Sequence, residues 1–263
     1  MSERLRRFLL ATTPGPACAA VLAPEDLEHA RRVLRLSAGD RIEGIDGRGH
    51  AWELELGAFE RRGVPLRVLR ELPGQLRPGE PGASLPWIEV AASLPKGARA
   101  EELVGRLAQL GVARLVPLVA GRSAEAAREF GGHRRVRLER LAAEALKQSG
   151  RLWSLEIAEP LELAQLLALA ERELLLLSPR TPERFFDWTA AQSGRNWSAE
   201  RPLCLVAGPE GGFSALERAG LLARGARELW LGPHVLRIET ACEAAAAVLA
   251  AGLGRAPAAG PGT

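Results

Sequence analysis

Apolar and polar positions fall into two regimes along this chain. Between residues 41 and 69 the apolar runs are short and punctuated by turn residues. Arg41–Ile45, His50–Phe59 and Val64–Leu69 read as strands, and Asp46-Gly47-Arg48-Gly49 as the hairpin turn between the first two. A helix over Pro24–Leu36 is expected ahead of them, which gives a small β-rich domain. From residue 87 the pattern changes to apolar runs separated by longer helical stretches. Trp87–Ala92, Ala113–Val119, Leu174–Ser178, Leu203–Ala207 and Glu228–Leu231 read as buried strands, and Ile238–Leu253 as an Ala-rich final helix. Such alternation predicts an α/β domain with a mostly parallel sheet covered on both faces. Pro73, Pro78, Pro81 and Pro86 alternate with Gly74, Gly79 and Gly82 at the break between the regimes. The expected organisation is therefore a first domain over 1–71, a linker over 72–86, a second domain over 87–255 and a flexible tail over 256–263.

Composition adds bounds. A chain of 263 residues with 47% hydrophobic content has ample material for a core. The net charge is +3, yet Lys96 and Lys147 are its only lysines, so nearly all positive charge is arginine. Arginine grips phosphate in two-point fashion and stacks on bases, which fits a polyanion partner at a pI near 9.1. A genome-wide preference for arginine codons gives the same composition, and both readings stay open here. Cys18, Cys204 and Cys242 are far apart, and the histidines add no ligand spacing, so no metal site or disulfide framework is expected. The apolar run after the first arginines is broken by Thr12, Thr13 and Pro14, too early for an export signal. No uncharged stretch approaches bilayer length. A cytoplasmic protein is expected.

The most informative positions are two loops, each between a strand-like and a helix-like run. The first is Gly208-Pro209-Glu210-Gly211-Gly212-Phe213, after which Ser214 and Glu217 form a capping box. The second runs from Leu231-Gly232-Pro233-His234 through Leu236-Arg237-Ile238-Glu239-Thr240-Ala241. Gly-rich turns at the carboxyl ends of strands in an α/β sheet are where such folds bind ligands. The first loop lacks the Lys-Ser/Thr ending of a P-loop and the Gly-x-Gly-x-x-Gly of a dinucleotide fold, and there is no Gly-x-Ser-x-Gly elbow. A small cofactor held largely by backbone groups is left.

These two loops, in this order and spacing, resemble the C-terminal signature of SPOUT-superfamily methyltransferases and, more narrowly, the RsmE family, which methylates N3 of a uridine in bacterial small-subunit ribosomal RNA. Val33-Leu34-Arg35-Leu36, Gly39-Asp40 and Asp46-Gly47 are similar to that family's N-terminal PUA-like β-barrel. Leu94-Pro95-Lys96, Leu110-Gly111-Val112, Arg122-Ser123 and Gln148-Ser149-Gly150-Arg151 follow in the family's order. Gln109, His234 and Ile238 depart from it, standing where an acidic residue, arginine and threonine are common.

The resemblance implies a SPOUT α/β domain whose segment 203–253 is tied into a deep trefoil knot. It implies S-adenosyl-L-methionine held by Ser178, Gly208, Pro209, Glu210, Gly211, Leu231, Gly232, Leu236, Thr240 and Ala241. It also implies 16S rRNA or the assembled small subunit as substrate, and a homodimer packed through the last helix. The chemistry is direct displacement, with no metal: uracil N3 loses its proton and attacks the sulfonium methyl carbon. Arg237 and then Arg122 are the candidate cations for the charge on the flanking oxygens. Glu239 is the candidate base, although a glutamate at a helix start is also stabilised by the helix dipole alone. The target base must be unpaired or flipped out, so RNA is expected to be held by shape and backbone, through Arg6, Arg7, Arg31, Arg32 and Arg35. Trp52, Trp87 and Trp230 read as core, and Arg134, Arg135, Arg137 and Arg140 as surface or dimer rim. Two rival functions remain open: a SPOUT ribose 2′-O-methyltransferase, whose last motif typically carries Ser-Leu-Asn, and a non-catalytic RNA-binding ribosome-assembly factor.

Overall fold

The computed structural model describes residues 5–15, 19–61, 63–121, 130–179, 181–192 and 194–255. They divide into two units: 1–77 with 146–154, and 78–145 with 155–263. The division is thus not a single cut in the chain. A short segment from the middle of the sequence returns to the first unit.

The first unit is a five-stranded sheet of order β2-β1-β3-β4-β5: β1 (Arg6–Thr12), β2 (Val21–Leu22), β3 (Arg41–Ile45), β4 (Ala51–Leu56) and β5 (Leu66–Leu72). β1 and β3 are parallel and the other pairs antiparallel. Phe8, Leu10, Ile42, Leu54 and Leu56 form its core. β1, a strand not expected from the sequence, carries the RNA-contact candidates Arg6 and Arg7; its alternation buries Phe8 and Leu10 and leaves Arg6 exposed. The expected helix over 24–36 is shorter. It is α-helical over α1 (Pro24–Glu28), widens to a π turn over His29–Val33, and ends where Arg35 takes φ 51°. β4 stops at Leu56 instead of Phe59; beyond it Gly57 N–H still bonds Pro65 O at 2.8 Å, and the chain turns back where Glu60 N–H donates to Gly63 O at 2.8 Å. β5 runs into the expected linker as far as Leu72. The 46–49 turn forms, with Asp46 Oδ1 accepting from the N–H groups of Arg48 and His50.

Residues 146–154 complete this unit. Leu146 and Leu152 pack with Ile45 and Ala51. Lys147 Nζ reaches the buried Asp26 Oδ1 at 2.5 Å, and Asp26 Oδ2 accepts from the Leu9 N–H. One of the chain's two lysines is therefore spent on an internal ion pair.

The second unit is a parallel sheet of order β12-β10-β11-β6-β7-β8, with β9 paired to β7. Its strands are β6 (Ile88–Ala92), β7 (Arg114–Val119), β8 (Glu156–Ile157), β9 (Leu161–Glu162), β10 (Glu173–Leu177), β11 (Leu203–Ala207) and β12 (Arg227–Leu229). The helices are α2 (Ala98–Gln109), α3 (Gly132–Ser149, of which 146–149 belong to the first unit), α4 (Leu163–Ala168), α5 (Phe185–Ala190), α6 (Ala215–Ala223) and α7 (Ile238–Leu253). β6 and β11 are buried at every position, as central strands of a sheet covered on both faces must be. Two apolar clusters lie on the two faces, one under α2, α3 and α7, the other under α4 and α6. Among the described residues, no helix is long and apolar enough to cross a membrane, and no group of side chains could hold a metal ion. Cys204 and Cys242 are buried, and burial pushes both thiols up, Cys242 to about 12.

Glu89 lies fully buried near the amino end of β6. It is held by Arg172 at 3.1 Å, Arg114 at 3.6 Å and the Trp87 indole N–H. Removing one member of such a group leaves buried charge uncompensated. Glu89→Ala is expected to lower the unfolding free energy by about 3–5 kcal/mol in denaturant titrations. A loss below about 1 kcal/mol would show that the arginines find solvent instead.

Candidate cofactor site

All strands of the second sheet point the same way, so the loops after β6, β10, β11 and β12 meet at one edge. Backbone bonds tie two of them together. Ser178 N–H donates to Leu229 O at 3.0 Å, Phe185 N–H to Trp230 O at 2.9 Å and Trp230 N–H to Glu183 O at 2.8 Å. β12 ends at Leu229, two residues before the expected Leu231. Trp230 and Leu231 thus leave the sheet and become walls.

Those walls enclose a half-open cleft of about 380 Å³, counting its mouth, lined by residues 177–179, 230–232, 234–236 and Ala241. Leu177, Pro179, Leu231, Val235 and Leu236 make it largely apolar. Ser178, His234 and the loop backbone supply its polar groups. Of the expected cofactor residues, Ser178, Leu231, Gly232, Leu236 and Ala241 meet here. Trp230, expected in the core, is half-buried and lines the cleft. Gly208, Pro209, Glu210, Gly211 and Thr240 are not among its lining residues.

Glycine is used differently in the two loops. A Cβ on Gly232 would meet nothing within 4 Å, so the missing side chain keeps the cleft open. A Cβ on Gly208 would come within 2.9 Å of the Phe213 ring, so that glycine lets Phe213 fold over its own loop. Gly212 takes φ 67°, closing the turn with its N–H on Pro209 O at 2.7 Å. The capping box follows: Glu217 N–H donates to Ser214 Oγ, and Glu217 Oε2 accepts from Ser214 N–H at 2.7 Å. Glu217 Oε1 also accepts from Gly121 N–H at 2.8 Å, fastening the loop after β7 to the start of α6.

Arg237 is the N-cap residue of α7, and its side chain is exposed with no ion-pair partner among the described residues. Glu239, in the first turn of α7, is 8% exposed, and its Oε2 is buried without a hydrogen-bond partner among the described residues. Arg99 in α2 stands 3.8 Å from Glu239 Oε1 and 3.9 Å from Glu210 Oε1, so one guanidinium links the two loops. The sequence carried no signal for Arg99, which lies in an ordinary amphipathic helix; only the packing of α2 on α7 brings it here. Arg122 lies outside the described residues.

The expected RNA-binding arginines of the first unit separate into two kinds. Arg6, Arg31, Arg32 and Arg35 are exposed, Arg32 with a Glu28 partner at 2.8 Å. Arg7 is drawn inward instead, held by Glu43 at 2.7 Å and donating to the Arg151 carbonyl. Its place on β1, between the buried Phe8 and the sheet partner β3, makes it a structural ion pair.

The donor set and shape fit a cofactor with an apolar-faced base and a short chain held by backbone. Comparison with known proteins agrees with this geometry. Residues 83–250 match the RNA methyltransferase domain family, and residues 22–69 match the RNA methyltransferase PUA domain family. The chain is 31% identical over 247 residues to the ribosomal RNA small subunit methyltransferase E of Mycobacterium bovis, covering 90% of this chain and 88% of that one. It is 30% identical to the Synechocystis protein of the same name, covering 89% and 74%. A methyltransferase from Legionella pneumophila, solved with its bound cofactor S-adenosylmethionine, superposes with a TM-score of 0.79 at 26% identity, covering 97% of this chain and all of that one. By sequence and by fold, the chain belongs to the ribosomal RNA small subunit methyltransferase E family of RNA methyltransferases.

Proposed function

We propose that this protein transfers a methyl group from S-adenosylmethionine to N3 of a uridine in the 16S rRNA of the small ribosomal subunit. The observation that carries the proposal is the cleft between the loops after β10 and β12, with Gly232 open toward it, in a chain of this family. When bound, the cofactor supplies a methyl carbon on a positive sulfur, with a neutral thioether as leaving group. Leu177, Leu231, Val235 and Leu236 cover its apolar surface, and Ser178 and the 230–232 backbone orient it.

The chain's own groups then have three tasks. The uridine must be held so that N3 lies in line with the carbon–sulfur bond, which the walls of the site do by excluding other poses. The N3 proton must leave as the N3–carbon bond forms. Glu239 Oε2, buried and unbonded among the described residues, is the acceptor available beside the second loop, while Arg99 holds the other oxygen. The electron pair left on the base spreads onto O2 and O4. Arg237, exposed at the start of α7, offers its guanidinium to that charge, with Arg122 as second cation by family resemblance. The expected knot over 203–253, the homodimer through α7 and the exposed arginines Arg6, Arg31, Arg32 and Arg35 as RNA contacts belong to the same proposal.

The test is to incubate the protein with methyl-labelled S-adenosylmethionine and small subunits lacking the modification, then digest the rRNA to nucleosides. Label is expected in N3-methyluridine alone. Label in 2′-O-methyl nucleosides supports the ribose-methylating alternative, and cofactor binding without transfer supports an assembly factor; either result overturns the proposal.

A further inference from the structure

Glu217 does two things, and only one of them is written in the local sequence. The capping box at the start of α6 uses one carboxylate oxygen: Oε2 accepts from Ser214 N–H at 2.7 Å, and Glu217 N–H donates in return to Ser214 Oγ at 3.2 Å. The box makes no call on Oε1. That oxygen accepts from Gly121 N–H at 2.8 Å, 96 residues away in the loop after β7. Two main-chain N–H groups from distant loops thus converge on the two oxygens of one half-buried carboxylate. Bonds to an ionised acceptor are about twice as strong as neutral ones.

The second bond crosses a strand. In the order β11-β6-β7 the loops after β11 and β7 are not neighbours, because β6 lies between them. The end of β6 is locked to both sides by the buried Ser93, whose N–H donates to Ala207 O at 3.1 Å and whose Oγ donates to Leu118 O at 3.2 Å. Ser93 fixes the strand ends, and Glu217 fixes the loops that leave them. On the α6 side the chain is already held, by Gly212 N–H on Pro209 O, by Phe213 against Gly208 and by the Ser214 cap. Gly121 is exposed, so the loop after β7 is the partner that the carboxylate steadies. The cofactor cleft lies at the loops after β10 and β12, and β7 stands three strand spacings from β10, about 14 Å. The tie therefore shapes the side of the reacting edge away from the cleft, and Gly121 directly precedes Arg122, the second cation of the reaction proposed above.

We infer that Glu217 is a positioning residue for methyl transfer, holding the loop after β7 against the start of α6 and so fixing the reacting edge on the side away from the cofactor cleft. The inference rests on the methyl-transfer reading above and adds to it a residue that sequence reading took only as a helix cap.

The experiment uses the whole protein with S-adenosylmethionine and unmodified small subunits. Glutamine serves a capping box as glutamate does but has one oxygen, so Glu217→Gln keeps the local bond and turns a donor toward Gly121 N–H. Its kcat is expected to fall about 10-fold, while the KM for subunits and the calorimetric affinity for S-adenosylmethionine stay within about threefold. An unchanged kcat, or a loss that appears in KM or in cofactor affinity instead, refutes the positioning role. Gly121→Pro removes the donor and keeps the acid, and Gly121 does not take a left-handed φ. Its kcat should fall to a similar level, and Glu217→Gln added to it should cost nothing more; losses that multiply show the two residues acting separately and overturn the tie. Ser214→Ala controls for stability, since it removes the hydroxyl cap but leaves both Glu217 oxygens on their N–H partners. Its thermal midpoint is expected to drop by about 2–4 °C with kcat unchanged. A rate loss in Ser214→Ala equal to that of Glu217→Gln reduces the effect to helix stability and overturns the inference. Absence of transfer by the unaltered protein refutes the proposed reaction and this role with it, whereas a full rate in Glu217→Gln beside an active unaltered protein refutes this role alone.

Discussion

Gly232→Leu is expected to remove S-adenosylmethionine binding while leaving the fold intact. The position has ordinary backbone geometry and open space where a side chain would start, so leucine strains nothing in the protein alone. That open space is the cleft itself. A four-carbon side chain there competes for the room that the cofactor needs, and the affinity should fall at least about 100-fold, or about 2.7 kcal/mol. The thermal midpoint without cofactor should stay within about 2 °C, because no core contact is altered. Calorimetric titration and thermal unfolding of the same preparation read the two effects separately. Retention of cofactor affinity within threefold would place the cofactor elsewhere on this edge. Gly208→Ala makes an instructive contrast, because its added carbon meets Phe213 and acts on the loop instead of the ligand.

The second large effect concerns rate. Arg237→Ala is expected to lower kcat by about 10²–10³-fold with little change in cofactor affinity, as when a preorganised donor to a developing oxyanion is removed. The side chain is exposed and makes no ion pair among the described residues, so truncation costs the fold little. Its charge would matter only when negative charge builds on the uracil oxygens. Arg237→Lys should recover part of the rate, since it keeps the charge but loses the planar fork. Single-turnover methylation with saturating cofactor measures this directly. Full activity of Arg237→Ala would remove it from the chemistry and leave Arg122 as the cation to test.

Much of the fold was legible because the deciding forces are local. β11 falls at Leu203–Ala207 and the last helix at Ile238–Leu253, both as expected, since an apolar run cut to strand length by Pro202 and Gly208-Pro209 is too short for a helix and a long alanine-rich run favours one. The capping box at Ser214 and Glu217 is a contact three residues long and was equally visible. β1 was missed because Arg6-Arg7 before an apolar run carries two meanings, and only pairing with β3 selects the strand. The early end of β12 was invisible for a related reason. Trp230 suits a strand, but its N–H and carbonyl pair with Glu183 and Phe185 in the segment after β10.

The sequence by itself determined the two loops, their glycines and the strands that carry them, because glycine at a turn and apolar residues in a run act through their immediate neighbours. Tertiary structure alone decided which arginines are free to meet a ligand. Arg7 and Arg237 look alike in the chain, yet Glu43 neutralises the first inside the small sheet while the second stands exposed beside the cleft. Arg99 comes to link the two loops only because α2 packs on α7 and carries it to Glu210 and Glu239. Charge is a property of the residue, but its partner is set by packing across many residues of chain, and the partner decides whether that charge stabilises the fold or is left for RNA.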